Sequence, residues 1–289
     1  MKKNAKGHLA AIITILIWST TFISTRSLLV DFSPVEILFY RFCIGIAALT
    51  VIYPRRMKFG GIKKELKFAV AGLSVTLYFL FEIIALTYTT VANVGVILSA
   101  SPFFTALLAI FLLNGEKPRS NFYIGFVAAI IGIFLISFNG VSARGINPIG
   151  DILALLAAFV WAVYSIFLKK VSDPECNTIQ ITRKIFFYGL VFLAPVLIFS
   201  SFEFGISRFS APANAFNILF LGLGASALCF VTWNFAVRVI GAVKTSIYIY
   251  LVPVFAVAIS ATLLNEGITW LSALGSAMTL AGLFVSGKK

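Results

Sequence analysis

The sequence predicts an all-α membrane protein in which ten transmembrane helices form two inverted five-helix repeats. Hydrophobic residues make up 60% of the chain and charged residues 11%, with a mean hydropathy of +1.03, whereas soluble domains contain about 25% charged residues. Apolar runs of roughly 20 residues recur, and a helix of that length crosses about 30 Å of hydrocarbon. A pattern of alanine, proline, asparagine and glycine residues also occurs in the same order in both halves of the chain. Strand-like alternation is absent from the sequence, so a transmembrane barrel is not expected.

The repeat is clearest between residues 85–138 and residues 236–287. Both stretches run in the same order through an alanine, a proline, a Leu-Leu-Asn triplet and two glycines: Ala85, Pro102, Leu112-Leu113-Asn114, Gly125 and Gly132 in the first, and Ala236, Pro253, Leu263-Leu264-Asn265, Gly275 and Gly282 in the second. Earlier in each half, Trp18 corresponds to Trp161 and Arg41 to Arg183. We therefore expect a first repeat over residues 1–138, a linker over 139–149 and a second repeat over 150–289.

Five helices are predicted in each half. In the first half they cover residues 9–29, 34–53, 66–86, 92–113 and 121–138. In the second half they cover residues 151–168, 178–200, 213–237, 243–264 and 269–286. The linker contains Gly140, Gly145 and Pro148, which are typical of an irregular connection. Because the number of helices per repeat is odd, the second repeat enters the membrane from the opposite side and the repeats are inverted.

The basic residues test this arrangement independently. Most of them lie in connections that the predicted topology places on the side of the N-terminus: Lys2, Lys3, Lys6, Arg55, Arg56, Lys58, Lys63, Lys64, Lys67, Lys117, Arg119, Lys169, Lys170, Arg238, Lys244, Lys288 and Lys289. The connections on the other side contain Arg144 and Arg208. Since loops rich in Lys and Arg remain in the cytoplasm, we expect a multi-pass protein of the inner (plasma) membrane with both termini cytoplasmic.

The same arrangement explains the net charge of +13, so this charge does not indicate nucleic-acid binding. Cys43, Cys176 and Cys229 are widely spaced and form no metal or redox motif. The only histidine is His8, and the sequence contains neither Gly-x-Ser-x-Gly, nor His-Glu-x-x-His, nor a nucleotide-binding loop. The sequence therefore predicts no enzyme, no metal and no cofactor. The N-terminal apolar run has a counterpart in mid-chain, so we expect it to be retained rather than cleaved as a signal peptide.

Residues 102–132 and 253–282 resemble the EamA-type family of drug/metabolite transporters. In each stretch a proline-centred helix is followed by a short turn with Asn and Glu, and then by a last helix that contains glycine. Trp18-Ser19-Thr20 and Arg41-Phe42 add weaker support, and the resemblance covers nearly the whole chain. It implies a ten-helix inner-membrane transporter, and many members of that family export amino acids or other small metabolites.

Inverted repeats provide two related conformations, because an exchange of conformation between the halves converts an outward-open molecule into an inward-open one. We therefore expect a secondary transporter of a small polar metabolite, an amino acid or a related zwitterion or anion, with export favoured by the resemblance. Uptake or exchange, multidrug efflux, a channel, and a non-transporting structural or receptor-like protein stay open as alternatives. The expected partners are a small-molecule substrate and membrane lipid, with no nucleic acid, and a homodimer stays open.

Ionisable residues within the predicted helices are candidates for gates, because a charge in hydrocarbon is costly and faces a cavity or a partner. They are Arg26, Glu36, Arg41 and Glu82, predicted at one depth in the outer part of the first repeat, with Lys169 and Arg183 as counterparts in the second. A pair between Glu82 and Arg41 or Arg26 would close the external mouth. The inner cations lack an evident carboxylate, which predicts a net positive pathway suited to anions or zwitterions. The alternative for these residues is anchoring at the membrane interface.

Aromatic and amide residues at mid-depth, together with one carboxylate, are candidates for substrate contact. They are Trp18, Tyr78, Glu82, Asn93, Trp161, Tyr164, Trp233, Asn234 and Tyr248. Tyr78 and Glu82 are four residues apart and therefore share a helix face. For each aromatic residue the alternative is helix packing or contact with lipid, whereas the two amides are costly in hydrocarbon without a partner.

Other features of the repeated stretch have structural interpretations. Pro102 and Pro253 free backbone carbonyls within their helices, which kinks the helix or creates a polar lining. The glycines in the last helix of each repeat allow close backbone approach. Glu116 and Glu266 precede these last helices, where a carboxylate favours the positive end of the helix dipole.

Overall fold

The computed structural model describes residues 2–113, 118–138, 147–172, 176–200, 202–255, 258 and 269–287. These residues form helices and connections, and no strand occurs among them. In this described part of the chain, seven helical segments are long and apolar enough to cross a membrane, and three shorter apolar helices accompany them. The predicted fold class is confirmed: an all-α membrane protein whose ten transmembrane helices form two inverted repeats.

The helices of the first half are α1 (Lys2–Leu28), α2 (Pro34–Ile52), α3 (Ile62–Tyr88), α4 (Val91–Leu98), α5 (Ser101–Leu112) and α6 (Ser120–Phe138). Local sequence explains the start of α2. Ser33 Oγ accepts a hydrogen bond from the Glu36 backbone, and Glu36 Oε2 accepts one from the Ser33 backbone, with proline at the first helical position. α3 begins at Ile62 rather than at the predicted residue 66, which places Glu65 in its first turn.

The second half contains α7 (Pro148–Val171), α8 (Thr178–Phe199), a 3₁₀ turn (Ile206–Ser210), α9 (Pro212–Leu219), a π-helix (Phe220–Leu228), α10 (Cys229–Ile240), α11 (Ala242–Ser246), a second 3₁₀ turn (Ile247–Tyr250) and α12 (Trp270–Gly287). Asn147 and Asn177 cap α7 and α8. Glu116, Glu266, residues 139–146 of the predicted linker and most of the predicted helix beyond residue 255 lie outside the described residues.

The alternation of helices gives the molecule two ends. We call the end at which α1 begins the terminal face and the opposite end the distal face. Gly7 in α1 contacts Val239 and Ile240 at the end of α10, which defines the terminal face. Glu36 at the start of α2 contacts Arg208 in the connection that follows α8, which defines the distal face.

Helix pairing follows the relation between the repeats. α3 of the first repeat packs against α7, the first helix of the second repeat. Correspondingly, α10 of the second repeat packs against α1, the first helix of the first repeat. α2 packs against α8, and α6 against α12, so these two contacts join equivalent helices. The arrangement has pseudo-two-fold symmetry, and the helices at its centre come from both repeats.

α6 and α12 approach at the level of their backbones, as the sequence predicts. A Cβ atom on Gly132 would lie 2.5 Å from the Gly275 carbonyl oxygen, and a Cβ atom on Gly275 would lie 2.5 Å from the Gly132 carbonyl oxygen. A Cβ atom on Gly282 would lie 2.5 Å from the carbonyl oxygen of Gly125. Side chains do not tolerate such distances, so only glycine permits this contact.

The helices around Pro102 and Pro253 change their hydrogen bonding just before the proline. α4 ends at Leu98 and α5 begins at Ser101, immediately before Pro102. In the second half the 3₁₀ turn Ile247–Tyr250 precedes Pro253. A proline donates no backbone hydrogen bond and disfavours helical geometry in the residue before it. The predicted disruption is therefore present, and it lies on the N-terminal side of each proline rather than at it.

Candidate functional site

A cavity lies between the two repeats, near the middle of α1 and α7. It contains about 580 Å³ of empty space, including space that is open to solvent. Aromatic and aliphatic side chains from both repeats form most of its lining, as is common for ligand sites. Four predicted substrate-contact residues line it, Trp18, Tyr78, Glu82 and Trp161, and two predicted gating residues line it, Arg41 and again Glu82.

Arg41 supplies the positive charge of the cavity. The residue is 2% exposed, its Cζ lies 4.1 Å from the centre of the Phe79 ring, and its Nε donates to Ser226 Oγ at 3.2 Å. Its Nη nitrogens have no hydrogen-bond partner in the described part of the chain and are not among the fully enclosed polar atoms. The planar guanidinium is suited to two parallel hydrogen bonds with a carboxylate. These donors are therefore available to a group bound in the cavity.

Glu82 supplies the negative charge and is 6% exposed. The Tyr78 side chain, one turn earlier in α3, interacts with its carboxylate. Glu82 and Arg41 line the same cavity, but no ion pair of 4.0 Å or less joins Glu82 to Arg41 or to Arg26 in this conformation. Opposite charges thus face the cavity with a gap between them.

Aromatic rings form the wall of the cavity on the side of α1, α3 and α7. The ring of Trp18 lies 5.3 Å from that of Trp161, which lies 4.7 Å from that of Tyr78. Trp18 Nε1 donates to the Ala225 carbonyl oxygen at 3.0 Å, within the π-helix, and π-helical turns are frequent at functional sites. Trp161 Nε1 has no hydrogen-bond partner among the described residues. The wall therefore carries one satisfied and one unsatisfied indole donor.

Packed side chains close the terminal side of the cavity. Trp233 and Tyr164 are 0% exposed, and the Trp233 ring lies 5.2 Å from the Trp18 ring. Tyr164 donates to Asn234 Oδ1 at 2.6 Å, and Asn234 Nδ2 donates to Thr182 Oγ1 at 2.8 Å. Three predicted substrate-contact residues, Tyr164, Trp233 and Asn234, are therefore in the packed core directly beyond the cavity wall.

Asn93 and Tyr248 also lie outside the cavity, near opposite faces. Asn93 Nδ2 donates to Asp151 Oδ1, and to Thr89 Oγ1 at 3.0 Å. The Tyr248 hydroxyl lies 2.7 Å from His8 Nδ1. Asn93 joins α4, which is interrupted before Pro102, to α7, the first helix of the second repeat. Tyr248 joins the 3₁₀ turn before Pro253 to α1, the first helix of the first repeat. The two contacts therefore link the repeats near the distal face and near the terminal face, respectively.

Glu36 lies at the distal face, in an ion pair that sequence spacing does not predict. Arg208 donates from Nη2 to Glu36 Oε1 at 2.9 Å and from Nη1 to Glu36 Oε2 at 3.1 Å. Glu36 also accepts from the Glu203 backbone at 3.0 Å. The hydrogen bonds to Glu36 raise the pKa of the Arg208 guanidinium above its usual value. The start of α2 thereby holds the connection that follows α8.

The terminal face carries the equivalent contact with different chemistry. Arg183 donates from Nη1 to the Tyr53 carbonyl oxygen at 2.8 Å and from Nη2 to the Arg55 carbonyl oxygen at 2.6 Å. Gln180 Nε2 donates to the same Arg55 oxygen at 3.0 Å. The start of α8 thus holds the connection that follows α2, as the inverted repeat requires.

Arg26 and Lys169 occupy equivalent places at helix ends. Arg26 Nη1 donates to the Leu86 carbonyl oxygen at 2.5 Å, near the end of α3. Lys169 Nζ donates to the carbonyl oxygens of Val237 and Arg238, both at 3.4 Å, near the end of α10. Cations are favoured at these ends because the last carbonyls of a helix lack helical partners and the helix dipole is negative there.

The four residues predicted at one depth are therefore in three separate places. Arg26 lies at a helix end and Glu36 in the ion pair with Arg208, whereas Arg41 and Glu82 share the cavity. Each side chain is placed by a partner from a distant part of the chain. The depth of a residue along its helix does not predict that partner.

Glu65 brings a carboxylate to the terminal face, where it pairs with Lys184, the neighbour in sequence of the predicted inner cation Arg183. Its Oε1 accepts from Lys184 Nζ at 2.5 Å, and its Oε2 accepts from the Tyr188 hydroxyl at 2.8 Å. The predicted helix started at residue 66 and left Glu65 in the connection. Since α3 begins at Ile62, the carboxylate instead faces α8.

Sequence reasoning missed most of the other lining residues, among them Gly95 and Phe230, and it missed Ser226, which accepts the hydrogen bond from Arg41. A Cβ atom on Gly95 would meet nothing within 4 Å, so open space lies beside it. Ser226 was detectable as a polar residue in an otherwise apolar run, whereas nothing in the sequence separates Gly95 from a glycine used for packing. Within the described ranges, no group of three His, Cys, Asp or Glu side chains is placed to hold a metal ion.

A bundle of ten transmembrane helices, with a charged cavity between two inverted repeats, is an architecture that many membrane transporters share. The model of the EamA-like transporter family matches residues 5–138 and 148–287. The chain therefore belongs to the EamA-like transporter family.

Individual relatives agree with this assignment. The chain is 31% identical to an uncharacterized transporter of Archaeoglobus fulgidus over 99% of both chains. It is 22% identical to a probable amino-acid metabolite efflux pump of Escherichia coli, over 98% of this chain and 95% of the pump. A solved crystal structure matches it with a TM-score of 0.75 at 21% identity, over 97% of this chain and 96% of the other, which supports the fold alone.

Proposed function

We propose that the protein is a secondary transporter that exports a small polar metabolite, an amino acid or a related zwitterion or anion, across the inner membrane. One observation carries the proposal: Arg41, whose Nη donors have no hydrogen-bond partner in the described part of the chain, lines a cavity between the repeats together with Glu82. The name of the Escherichia coli relative, a probable amino-acid metabolite efflux pump, favours this substrate class and this direction. The sequence contains no nucleotide-binding loop, so solute gradients would drive the movement.

Alternating access between two conformations is the proposed mechanism. In this structure the terminal side is closed by the buried side chains of Trp233, Tyr164 and Asn234. The cavity occupies the part of the molecule toward the distal face, as its lining by Thr21 and Glu82 indicates. If the repeats exchange conformations, the distal side closes and the terminal side opens. With both termini in the cytoplasm, as the basic residues favour, the present conformation faces outward.

Transport by the purified protein in liposomes tests this proposal. Liposomes preloaded with a mixture of unlabelled amino acids should accumulate a labelled amino acid from outside by exchange, and protein-free liposomes should not. Counterflow of this kind does not depend on the physiological direction. Direction is tested separately in cells, where expression should increase the amount of the same amino acid in the medium. Counterflow of none of the amino acids by folded protein would contradict the proposed substrate class.

Multidrug efflux is the second candidate, because a carboxylate among aromatic rings also suits an organic cation. Glu82 and the surrounding rings of Trp18, Tyr78 and Trp161 provide such an environment. Transport of tetraphenylphosphonium, without transport of any amino acid, would favour this alternative. Arg41 argues against it, since a bound cation would leave the Nη donors unpartnered.

A further inference from the structure

We propose that the cavity binds its substrate as a zwitterion in one orientation, with the carboxylate on Arg41 and the ammonium on Glu82, and that Gly95 determines which side chains fit. This inference rests on the proposed transport function. It goes further by excluding pure anions and pure cations and by assigning a residue to size selection.

The geometry of Arg41 prepares it for a carboxylate. Its Nε is held by Ser226 Oγ at 3.2 Å, and Phe79 packs against the face of the guanidinium at 4.1 Å. The Nη edge is therefore oriented before substrate arrives, and it keeps unused donors in a residue that is 2% exposed. A buried charged group with unused donors is costly, and a bound carboxylate would satisfy them.

Glu82 makes a simple anion a poor occupant. Its carboxylate would face a second negative charge in a site from which water is largely excluded, and no ion pair of 4.0 Å or less neutralises it. A simple cation would likewise place a second positive charge near Arg41 and leave the Arg41 guanidinium without an anionic partner. A zwitterion places one charge on each side of the gap, so both protein charges gain a partner at once.

Gly95 indicates where the rest of the substrate lies. The glycines between α6 and α12 are required because a Cβ atom would meet backbone, but a Cβ atom on Gly95 would meet nothing within 4 Å. Glycine inside a helix is less favourable than alanine, and packing gives no reason for it here. Gly95 lines the cavity together with the aliphatic residues Leu98, Ile249 and Val252. The open space beside it is therefore placed to hold an apolar side chain.

Ligand binding to purified wild-type protein tests the charge assignment. Thermal unfolding is first measured with each of the twenty proteinogenic amino acids, since a ligand of the native state raises its melting temperature. The strongest ligand is then compared with its carboxamide, which lacks the negative charge, and with its desamino acid, which lacks the positive charge. Both analogues should bind roughly 10- to 100-fold more weakly, as expected for the loss of one charged hydrogen-bonding partner.

Variants then match each ligand charge to one residue. Glu82→Gln should weaken binding of the amino acid but leave binding of the desamino acid unchanged or stronger. Arg41→Lys, which keeps the buried charge and protects folding, should weaken the amino acid more than the carboxamide. Equal effects of Glu82→Gln on the amino acid and the desamino acid would show that Glu82 does not contact the ammonium.

The size assignment is tested with Gly95→Ala and Gly95→Val. Binding of amino acids with large side chains should fall progressively, while binding of the smaller ones persists. Gly224→Ala is the control, because its Cβ atom would make only an ordinary contact of 3.4 Å with Phe220 and the residue does not line the cavity. Equal loss of small and large ligands in the Gly95 variants would refute the assignment.

Failure of the inference can be distinguished from failure of the proposed function. Counterflow of amino acids, with analogues that bind as tightly as the zwitterion, would leave the transporter proposal intact and overturn the fixed orientation. Binding of none of the twenty amino acids overturns the inference, and the counterflow assay then decides the transport proposal.

Discussion

At the scale of single residues, equivalent positions in the two repeats have acquired different chemistry. Glu82 corresponds to Trp233 in the repeat, yet Glu82 faces the cavity and Trp233 is fully buried beside the rings of Trp18 and Trp161. Inverted repeats exchange roles during transport, so the two sides must close by different means. Aromatic packing closes the terminal side in this conformation.

Trp233→Ala should therefore open the terminal side selectively, because truncation of a buried tryptophan removes roughly 3–5 kcal/mol of packing. The measurement is thiol labelling of a single cysteine at Ser165, in protein whose three native cysteines are replaced. Ser165 is 1% exposed, so labelling should be slow in the parent and faster in the variant.

Trp270→Ala is the matched control, since Trp270 is 72% exposed. A cysteine at Thr21, which lines the cavity, should label at a similar rate in all three proteins. Unchanged labelling at Ser165 in a folded Trp233→Ala protein would mean that this ring does not hold the terminal side closed.

Arg208→Ala should destabilise the protein by about 1–3 kcal/mol, because it leaves the Glu36 carboxylate, whose side chain is 4% exposed, without its charged partner. Unfolding in detergent measures the change. Glu36→Gln combined with Arg208→Ala should cost less than the sum of the two single substitutions. Strict additivity would indicate that the ion pair contributes nothing to stability.

At the scale of helices, the two repeats share two features: a close contact between their last helices and an interrupted helix in each repeat. α6 and α12 contact through their backbones at paired glycines, while α4 and the helix around Pro253 are interrupted beside the cavity. The glycine contact is rigid because the two backbones touch, whereas the interrupted helices have fewer internal hydrogen bonds to break. Movement during transport is therefore expected at the interrupted helices, with α6 and α12 staying together.

Gly132→Leu should destabilise the fold strongly, by at least about 2–3 kcal/mol, since its side chain would have to displace the backbone of α12. Melting temperature and yield of folded protein measure this. Gly224→Leu is a milder comparison, because a Cβ atom there meets only the Phe220 ring at 3.4 Å and beyond. Similar melting temperatures for the two variants would contradict a contact that depends on glycine.

At the scale of the whole molecule, inversion appears as matched contacts on opposite faces. The start of α2 holds the connection after α8 through Glu36, and the start of α8 holds the connection after α2 through Arg183 and Gln180. Arg26 and Lys169 bind the ends of equivalent helices. The backbone arrangement is therefore shared by the two faces even where the charges differ.

The predicted orientation places Cys176, in the connection between α7 and α8, in the cytoplasm. A membrane-impermeant maleimide should not label it in intact cells but should label it after permeabilisation, in protein with Cys43 and Cys229 replaced. A cysteine at Val30, which is 82% exposed near the distal face, should label in intact cells. Labelling of Cys176 from outside would reverse the orientation and turn the present conformation into an inward-facing one.

The sequence by itself determined the class of protein, the number of helices and the repeat. These properties depend on composition and local order: apolar runs set the helices, and recurring landmarks such as Pro102 and Pro253 reveal the duplication. It also identified Arg41 and Glu82 as candidates, because charged residues are rare and costly in hydrocarbon.

Only the tertiary structure decided which candidates share a cavity. The choice depends on helix rotation and on partners far apart in the chain, such as Ser226 for Arg41 and Arg208 for Glu36. Helix periodicity places a side chain on a face but does not name the helix that this face meets. The space beside Gly95 is present because no atom of a neighbouring helix fills it. Only the packing of the helices against one another determines this.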